Sequence, residues 1–190
     1  MEGFELSEPL RTERVLLRAY RDEDFGPLYA MRSDVENARY VYWEPQSEDE
    51  VRGTLARKIE MRAIRAEGDV LAFAAEHRET GEVVADVILC WVSAEHALGE
   101  VGYIVHPDHT GQGYATEATR PLLAIAFDVL GLHRVIGRLE ARNVASARVL
   151  EKLGFRREAH LVENEFVKGE WQSGLVYAIL DREWRAGGSG

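Results

Sequence analysis

The sequence predicts an α/β (α+β) fold: a mixed sheet with helices on both faces. Three observations predict it. Apolar runs at 70–76 and 83–92 flank a Thr80-Gly81 turn, the pattern of an antiparallel hairpin. A run at 100–105, a glycine-rich turn, an apolar helical pattern and a run at 134–140 then read as strand, helix, strand. With the remaining segments the order becomes β-α-α-β-β-β-α-β-α-β-β, seven strands and four helices.

In chain order, Val15, Leu16 and Leu17 mark a first strand over 14–20. Asp22 and Asp24 are placed to cap a helix carrying Phe25, Leu28, Tyr29 and Met31. An aromatic connector, 40–45, leads to Ser47, which with Glu50 forms a capping-box pattern. The helix it opens repeats Val51, Leu55, Ile59 and Ala63 every four residues. The strand at 100–105 stops before Pro107. The next helix carries Leu122, Ile125, Ala126, Val129 and Leu130 and closes at Gly131. Pro121 lacks the N–H of an interior helical position and predicts a kink or a late start. A strand at 134–140, a helix over 143–153 closed by Gly154, and strands from 155 and over 175–180 complete the chain.

The 190 residues, 46% hydrophobic and 29% charged, suffice for one packed domain over 1–185 with a flexible tail at 186–190. The 23 basic and 33 acidic residues give a net charge of −10. Such a chain has no general attraction for phosphate backbones or anionic membranes, so neither nucleic acid nor a membrane is an expected partner. It attracts cations, amines included. Cys90 stands alone within an apolar run, which excludes an internal disulfide and a cysteine zinc cluster and makes the thiol a small hydrophobe. No metal is expected. The first residues, MEGFELSEPLRTE, carry no secretory pattern, and no apolar run is long enough to span a bilayer, so a cytoplasmic location is expected. A monomer and a small homo-oligomer both fit.

The most informative stretch is Val105-His106-Pro107-Asp108-His109-Thr110-Gly111-Gln112-Gly113-Tyr114-Ala115-Thr116. Glycines let successive N–H groups face one concavity, and the helix that follows adds a partial positive charge. Together they can hold a phosphate. No GK[ST] follows, so this is not a P-loop, and on its own a Gly-x-Gly also reads as a plain tight turn.

Gly99-Glu100-Val101-Gly102-Tyr103, then Gly111-Gln112-Gly113-Tyr114-Ala115-Thr116-Glu117-Ala118, then the segments at 126–135 and 143–155 occur in that order. This joint pattern resembles the GNAT superfamily of N-acyltransferases, most closely its RimJ/RimL-like branch of ribosomal-protein N-terminal acetyltransferases. The resemblance implies the GNAT fold: a central mixed and largely antiparallel seven-stranded sheet, flanked by about four helices and splayed between its fourth and fifth strands. It implies acetyl-CoA (coenzyme A) as co-substrate and an amine acceptor, a basic protein N-terminus or a small molecule.

Carried over by position, Gly111, Gln112, Gly113, Tyr114, Ala115 and Thr116 bind the pyrophosphate of coenzyme A, with Thr110 standing where Arg or Gln is usual. Tyr103, Ile104 and Val105 pair with the cofactor arm through their backbone while also serving as strand residues. Asn143, a good N-cap in its own right, contacts the same arm. Many members place a Tyr seven residues after it as the acid for the leaving thiolate; here that position is Leu150, and Ser146, one turn earlier, takes the role. For the base, Glu100 comes first, Glu165 second and Glu140 third. Trp43 and Glu44 border the acceptor site, although a core aromatic also explains Trp43. Trp171 and Tyr177 are expected to be packing residues. The resulting reading is an acetyl-CoA-dependent N-acetyltransferase acting by direct attack in a ternary complex. The alternative is a non-catalytic acyl-CoA-binding or sensor module.

Overall fold

The computed structural model describes residues 3–187. A short strand β1 (Phe4–Glu5) is followed by a small hairpin, β2 (Leu10–Arg11) and β3 (Val15–Arg18). Helices α1 (Phe25–Ser33), α2 (Val35–Ala38) and α3 (Glu48–Glu60) come next, then β4 (Ala63–Ile64). Strands β5 (Val70–His77), β6 (Val83–Ser93) and β7 (Leu98–Val105) form a meander. Helix α4 (Tyr114–Ala124) leads to β8 (Arg134–Glu140) and α5 (Val144–Lys152). A long hairpin, β9 (Arg156–Val167) and β10 (Glu170–Leu180), and α6 (Asp181–Gly187) end the described chain.

Eight strands form the main sheet in the order β2-β3-β5-β6-β7-β8-β10-β9, and β1 pairs with β4 in a separate two-stranded sheet. Every neighbouring pair is antiparallel except β7 with β8. The sheet therefore exceeds the seven strands expected, because β2 is only two residues long and leaves no periodic signal. Among the described residues six helices replace the expected four, α2 and α6 being short. The tail expected from 186 is still helical at Gly187, and 188–190 lie outside the described residues. No helix among the described residues is long and apolar enough to cross a membrane.

Two apolar layers sandwich the sheet. On one face Leu28 and Met31 of α1 and Val51 and Leu55 of α3 pack on Ala72 and Ala74 of β5. On the other, Ala118, Leu122 and Leu123 of α4 and Leu150 of α5 pack with Phe73, Val87, Leu89 and Val101. The Ser47–Glu50 capping box forms as the sequence predicts, and Gly131 and Gly154 close their helices at positive φ. Pro121 does not delay the start of its helix. Helix α4 begins at Tyr114 and runs through it, and the chain then widens into a π-helical turn at Ile125–Val129.

Asp24 does not cap α1 with its side chain. Instead its two oxygens accept from both terminal nitrogens of Arg18 at 2.7 Å, and it also accepts the Arg21 amide at 2.9 Å. The Arg18 Nε donates to Glu76 at 2.7 Å, so a guanidinium with only 9% of its side chain exposed is held by two carboxylates. Removing one partner of a buried ion pair strands the other charge in a poorly solvated place. Asp24→Ala is accordingly expected to lower unfolding stability by about 3 kcal/mol, read as a drop in the urea midpoint at constant slope.

Candidate active site

The parallel pairing of β7 with β8 covers only Leu98↔Arg134, Gly99↔Val135 and Glu100↔Ile136. Beyond Glu100, β7 stays with β6 as far as Val105, while β8 stays with β10 as far as Glu140. A gap therefore opens between them, as the fold class implied. The His106 amide donates to the Val84 carbonyl at 2.9 Å, so even-numbered residues of β7 turn their backbone toward β6. Val101, Tyr103 and Val105 turn theirs toward the gap. The Val105 carbonyl already accepts from Asn37 Nδ2 at 3.0 Å.

At one mouth of the gap lies the glycine turn. Gly111 and Gly113 adopt φ of 74° and 85°, where a side chain would be strained. The first intrahelical bond of α4 runs from the Glu117 amide to the Gly113 carbonyl, which leaves the amides of Tyr114, Ala115 and Thr116 without partners inside the helix. A cavity of about 420 Å³ lies before them, walled also by Thr110, Gly111, Gly113, Tyr103, Ile104, Val105, Asn143 and Ser146. Gln112 is not part of this wall. Its carbonyl accepts from Arg14 at 3.1 Å and its side-chain amide reaches back to Asp108. Arg14 and Thr12 anchor the turn from the start of β3: the Thr12 hydroxyl and Arg14 amide donate to Glu117 at 2.6 Å, and Arg14 Nε does so at 2.7 Å.

Among the wall residues that escaped the sequence reading, two are basic. Arg148 and Lys152 sit one turn apart on α5, exposed, and have no ionic partner among the described residues. The signal was their i, i+4 spacing in the helix that Asn143 opens. They place cations on the cavity that lacks the usual basic residue at Thr110.

Inside the gap, the Asn143 side chain accepts the Ser146 amide at 3.0 Å, capping α5. The Tyr103 hydroxyl lies 2.9 Å from both Ser146 Oγ and the Ser146 carbonyl. Burial pushes the Tyr103 phenol well above its ordinary range, and the bond to Ser146 only partly offsets this, so Tyr103 stays protonated. A phenol thus comes from the strand to the place where Leu150 offers none. Leu150 is 1% exposed and fills the space a side chain at Gly137 would take: a Cβ there would lie 2.8 Å from the Leu150 methyls. A second cavity, of about 300 Å³, begins at Tyr103, Ser146 and Asn143 and passes to the α1–α3 face of the sheet.

On that face a third cavity, of about 210 Å³, holds all three candidate bases. Each has a partner. Glu100 forms a two-point pair with Arg138 at 2.8 and 3.1 Å, Glu165 accepts from the Tyr42 hydroxyl at 2.7 Å, and Glu140 accepts from Arg142 Nε at 2.9 Å. The bond to Glu165 raises the Tyr42 phenol and keeps it a donor. Trp43 and Glu44 do not wall these cavities; the neighbouring Tyr40, Val41 and Tyr42 do. Glu44 is exposed, 3.8 Å from Lys168, and Trp43 supports the guanidinium of Arg32 at 4.8 Å. Tyr177 is buried as expected, whereas Trp171 is exposed and meets Phe166 edge to face. Burial pushes the Cys90 thiol up to about 11, leaving no thiolate for nucleophilic chemistry. Among the described residues no group of three or more His, Cys, Asp or Glu is placed to hold a metal ion.

The family described as an acetyltransferase (GNAT) domain matches residues 14–156. The uncharacterised N-acetyltransferase YnaD of Bacillus subtilis (strain 168) is 27% identical over 175 residues, 92% of this chain and 98% of its own length. The spermidine N(1)-acetyltransferase of Vibrio cholerae is 26% identical over 172 residues, 90% of this chain and 95% of its own. A solved GNAT-family acetyltransferase from Bacillus anthracis superposes with a TM-score of 0.82 at 26% identity, covering 92% of this chain and 99% of its own.

The anchor of the turn carries a pH signature. Burial alone would raise the Glu117 carboxyl, but its bonds to Thr12 and Arg14 outweigh this and hold it below its ordinary value. A depressed carboxyl contributes stability above its unfolded pKa of about 4.3 and loses it as pH falls through the folded value. Glu117→Gln is expected to lower the melting temperature at pH 7. The difference from wild type should shrink below about pH 4, as measured by thermal melts across that range.

Proposed function

The chain belongs to the GNAT acetyltransferase family, and from that premise we propose that it moves an acetyl group from acetyl-CoA to the primary amine of a small acceptor, by direct attack in a ternary complex. It is an N-acetyltransferase, as the family and the relatives so named establish, which sets aside the non-catalytic module. The observation that carries the proposal is a row of three cavities with shared walls: the one at the glycine turn and the second share Tyr103, Asn143 and Ser146, and the second and the carboxylate-lined one share Tyr42, Arg138 and Leu139.

The residues present fit coenzyme A. The unpaired amides at the start of α4 and its positive end suit the pyrophosphate, and Arg148 and Lys152 suit phosphate charge. The gap-facing backbone of β7 suits the amide-bearing arm, and the Tyr103 N–H faces the gap where a thioester oxygen would gain charge. Acetyl-CoA supplies the activated acyl group.

Ser146 donates a hydrogen bond to the departing sulfur, and the Tyr103 phenol, bonded to Ser146 Oγ, supports it from behind. A thiol pKa of roughly 8.5 asks for little more than a hydrogen bond. Glu100 and Glu165 attract the cationic acceptor and take up its proton through water. For an α-amine of pKa about 8, such a water relay suffices.

The connector favours a small acceptor over a protein N-terminus. Lys168 Nζ donates to the Ala38 carbonyl at the end of α2 and the Tyr42 hydroxyl donates to Glu165, so the β9–β10 hairpin fastens both the end of α2 and the connector beside the acceptor cavities. The ribosomal-protein reading of the RimJ/RimL-like branch requires those fastenings to open for a peptide.

Ser146→Ala and Tyr103→Phe are each expected to lower kcat by about 10²-fold, with KM for acetyl-CoA changing only a few-fold, followed by thiol release. Full turnover by Ser146→Ala would refute the leaving-group role. The double change of Arg148 and Lys152 to Glu should instead raise KM for acetyl-CoA about tenfold or more, roughly 1.4 kcal/mol or above, and spare kcat.

A further inference from the structure

The second cavity ends in a polar chamber that the transfer chemistry does not use. Asp86 of β6, Lys58 of α3 and Arg32 of α1 wall it, and Tyr20 lies behind. Lys58 Nζ donates to Asp86 Oδ1 at 2.7 Å, while Arg32 reaches only 3.8 Å from Asp86 Oδ2. Two cations therefore face one carboxylate, leaving one positive charge in a chain whose net charge is −10.

That charge is out of water. Lys58 is 5% exposed and spends one of its three N–H donors. The Arg32 side chain is 15% exposed, and its guanidinium, stacked on Trp43, makes no hydrogen bond among the described residues. Its Nε is buried without a partner, and the Tyr20 hydroxyl is directed at Asp86. A clamp joining α1, α3 and β6 needs one cation for Asp86. A second cation with unspent donors, facing a cavity, is the arrangement that a bound anion completes. The chamber shares its cavity with Tyr103 and Ser146, and Arg32, Lys58 and Asp86 lie on the α1–α3 face, opposite α4. At the other end of the acceptor space stand Glu100, Glu140 and Glu165.

We propose that the Arg32–Lys58 chamber binds a carboxylate carried by the amine acceptor, so that the enzyme acetylates amino-acid-like zwitterions in preference to polyamines. This rests on the transferase reading above and narrows its acceptor class. Arg32 and Lys58 hold the carboxylate, the acceptor amine lies between the chamber and the carboxylate-lined cavity, and Trp43 keeps the Arg32 plane in place.

The test compares matched acceptors, glycine, alanine, glutamate, ornithine and lysine each against its α-carboxamide, together with spermidine, by product mass and kcat/KM. The acids should exceed their amides by at least tenfold. Arg32→Gln should collapse that ratio and Arg32→Lys should largely restore it, each variant being checked by thermal melting. Acetylation of amides or spermidine as fast as the acids would overturn the proposal and leave the transferase reading standing. Preference for succinyl-CoA over acetyl-CoA, lost in Arg32→Gln, would also overturn it by placing the carboxylate on the acyl group. If nothing in the panel is acetylated, the small-amine reading falls, and the chamber is judged by binding. Stabilisation of wild type but not Arg32→Gln by N-acetylated amino acids in the presence of coenzyme A would support it, and no stabilisation would overturn it.

Discussion

The arrangement of this molecule depends on a sheet that stops pairing halfway. Three residue pairs join β7 to β8, and then the two strands part. Backbone donors and acceptors inside a protein are almost always satisfied, so a parted pair of central strands is costly unless something else occupies the space. The gap is thus both the structural exception and the point at which the two faces of the sheet communicate. The 420 Å³ cavity on the α4–α5 face and the second cavity share Tyr103, Asn143 and Ser146 as walls, at the place where the ladder is interrupted.

Several contacts keep the strands apart. Leu150 occupies the room left by Gly137, Tyr103 leans against Ser146 at the first turn of α5, and Asn37 takes the Val105 carbonyl. The loss of a helix-borne tyrosine at position 150 is thereby reinterpreted. Leucine there is part of the wedge, and the phenol arrives from β7. On the other side of the gap, charge is arranged by distance from it: carboxylates toward the β9–β10 hairpin, two cations and one carboxylate toward α1 and α3.

What the sequence revealed follows from how local each signal is. The Ser47–Glu50 box, the Asn143 cap and the glycine turn each lie within a few residues, and all three appear where they were read. The parting of β7 and β8 was legible only through family likeness, since nothing in 100–105 or 134–140 marks where pairing ends. Strand β2 was too short to read, and Asp24 passed for a cap because its partner Arg18, itself shared with the distant Glu76, meets it only in the fold. Within the connector, pairing an aromatic with a carboxylate pointed to Trp43 and Glu44, whereas Tyr40, Val41 and Tyr42 are the residues that line the cavities. Arg32, Lys58 and Asp86 come from three distant elements. One clue was available, for Lys58 stands three residues after Leu55 and seven after Val51, on the buried stripe of α3.

The central claim is that the interrupted ladder and the glycine turn form one seat for coenzyme A. Residue-resolved amide hydrogen exchange, with and without coenzyme A at saturation, tests it directly because that method reports opening on long timescales. The account predicts added protection at Tyr103 and at Tyr114, Ala115 and Thr116, whose N–H groups are free to take a ligand. Saturating binding that leaves these amides unchanged and protects another surface would contradict it.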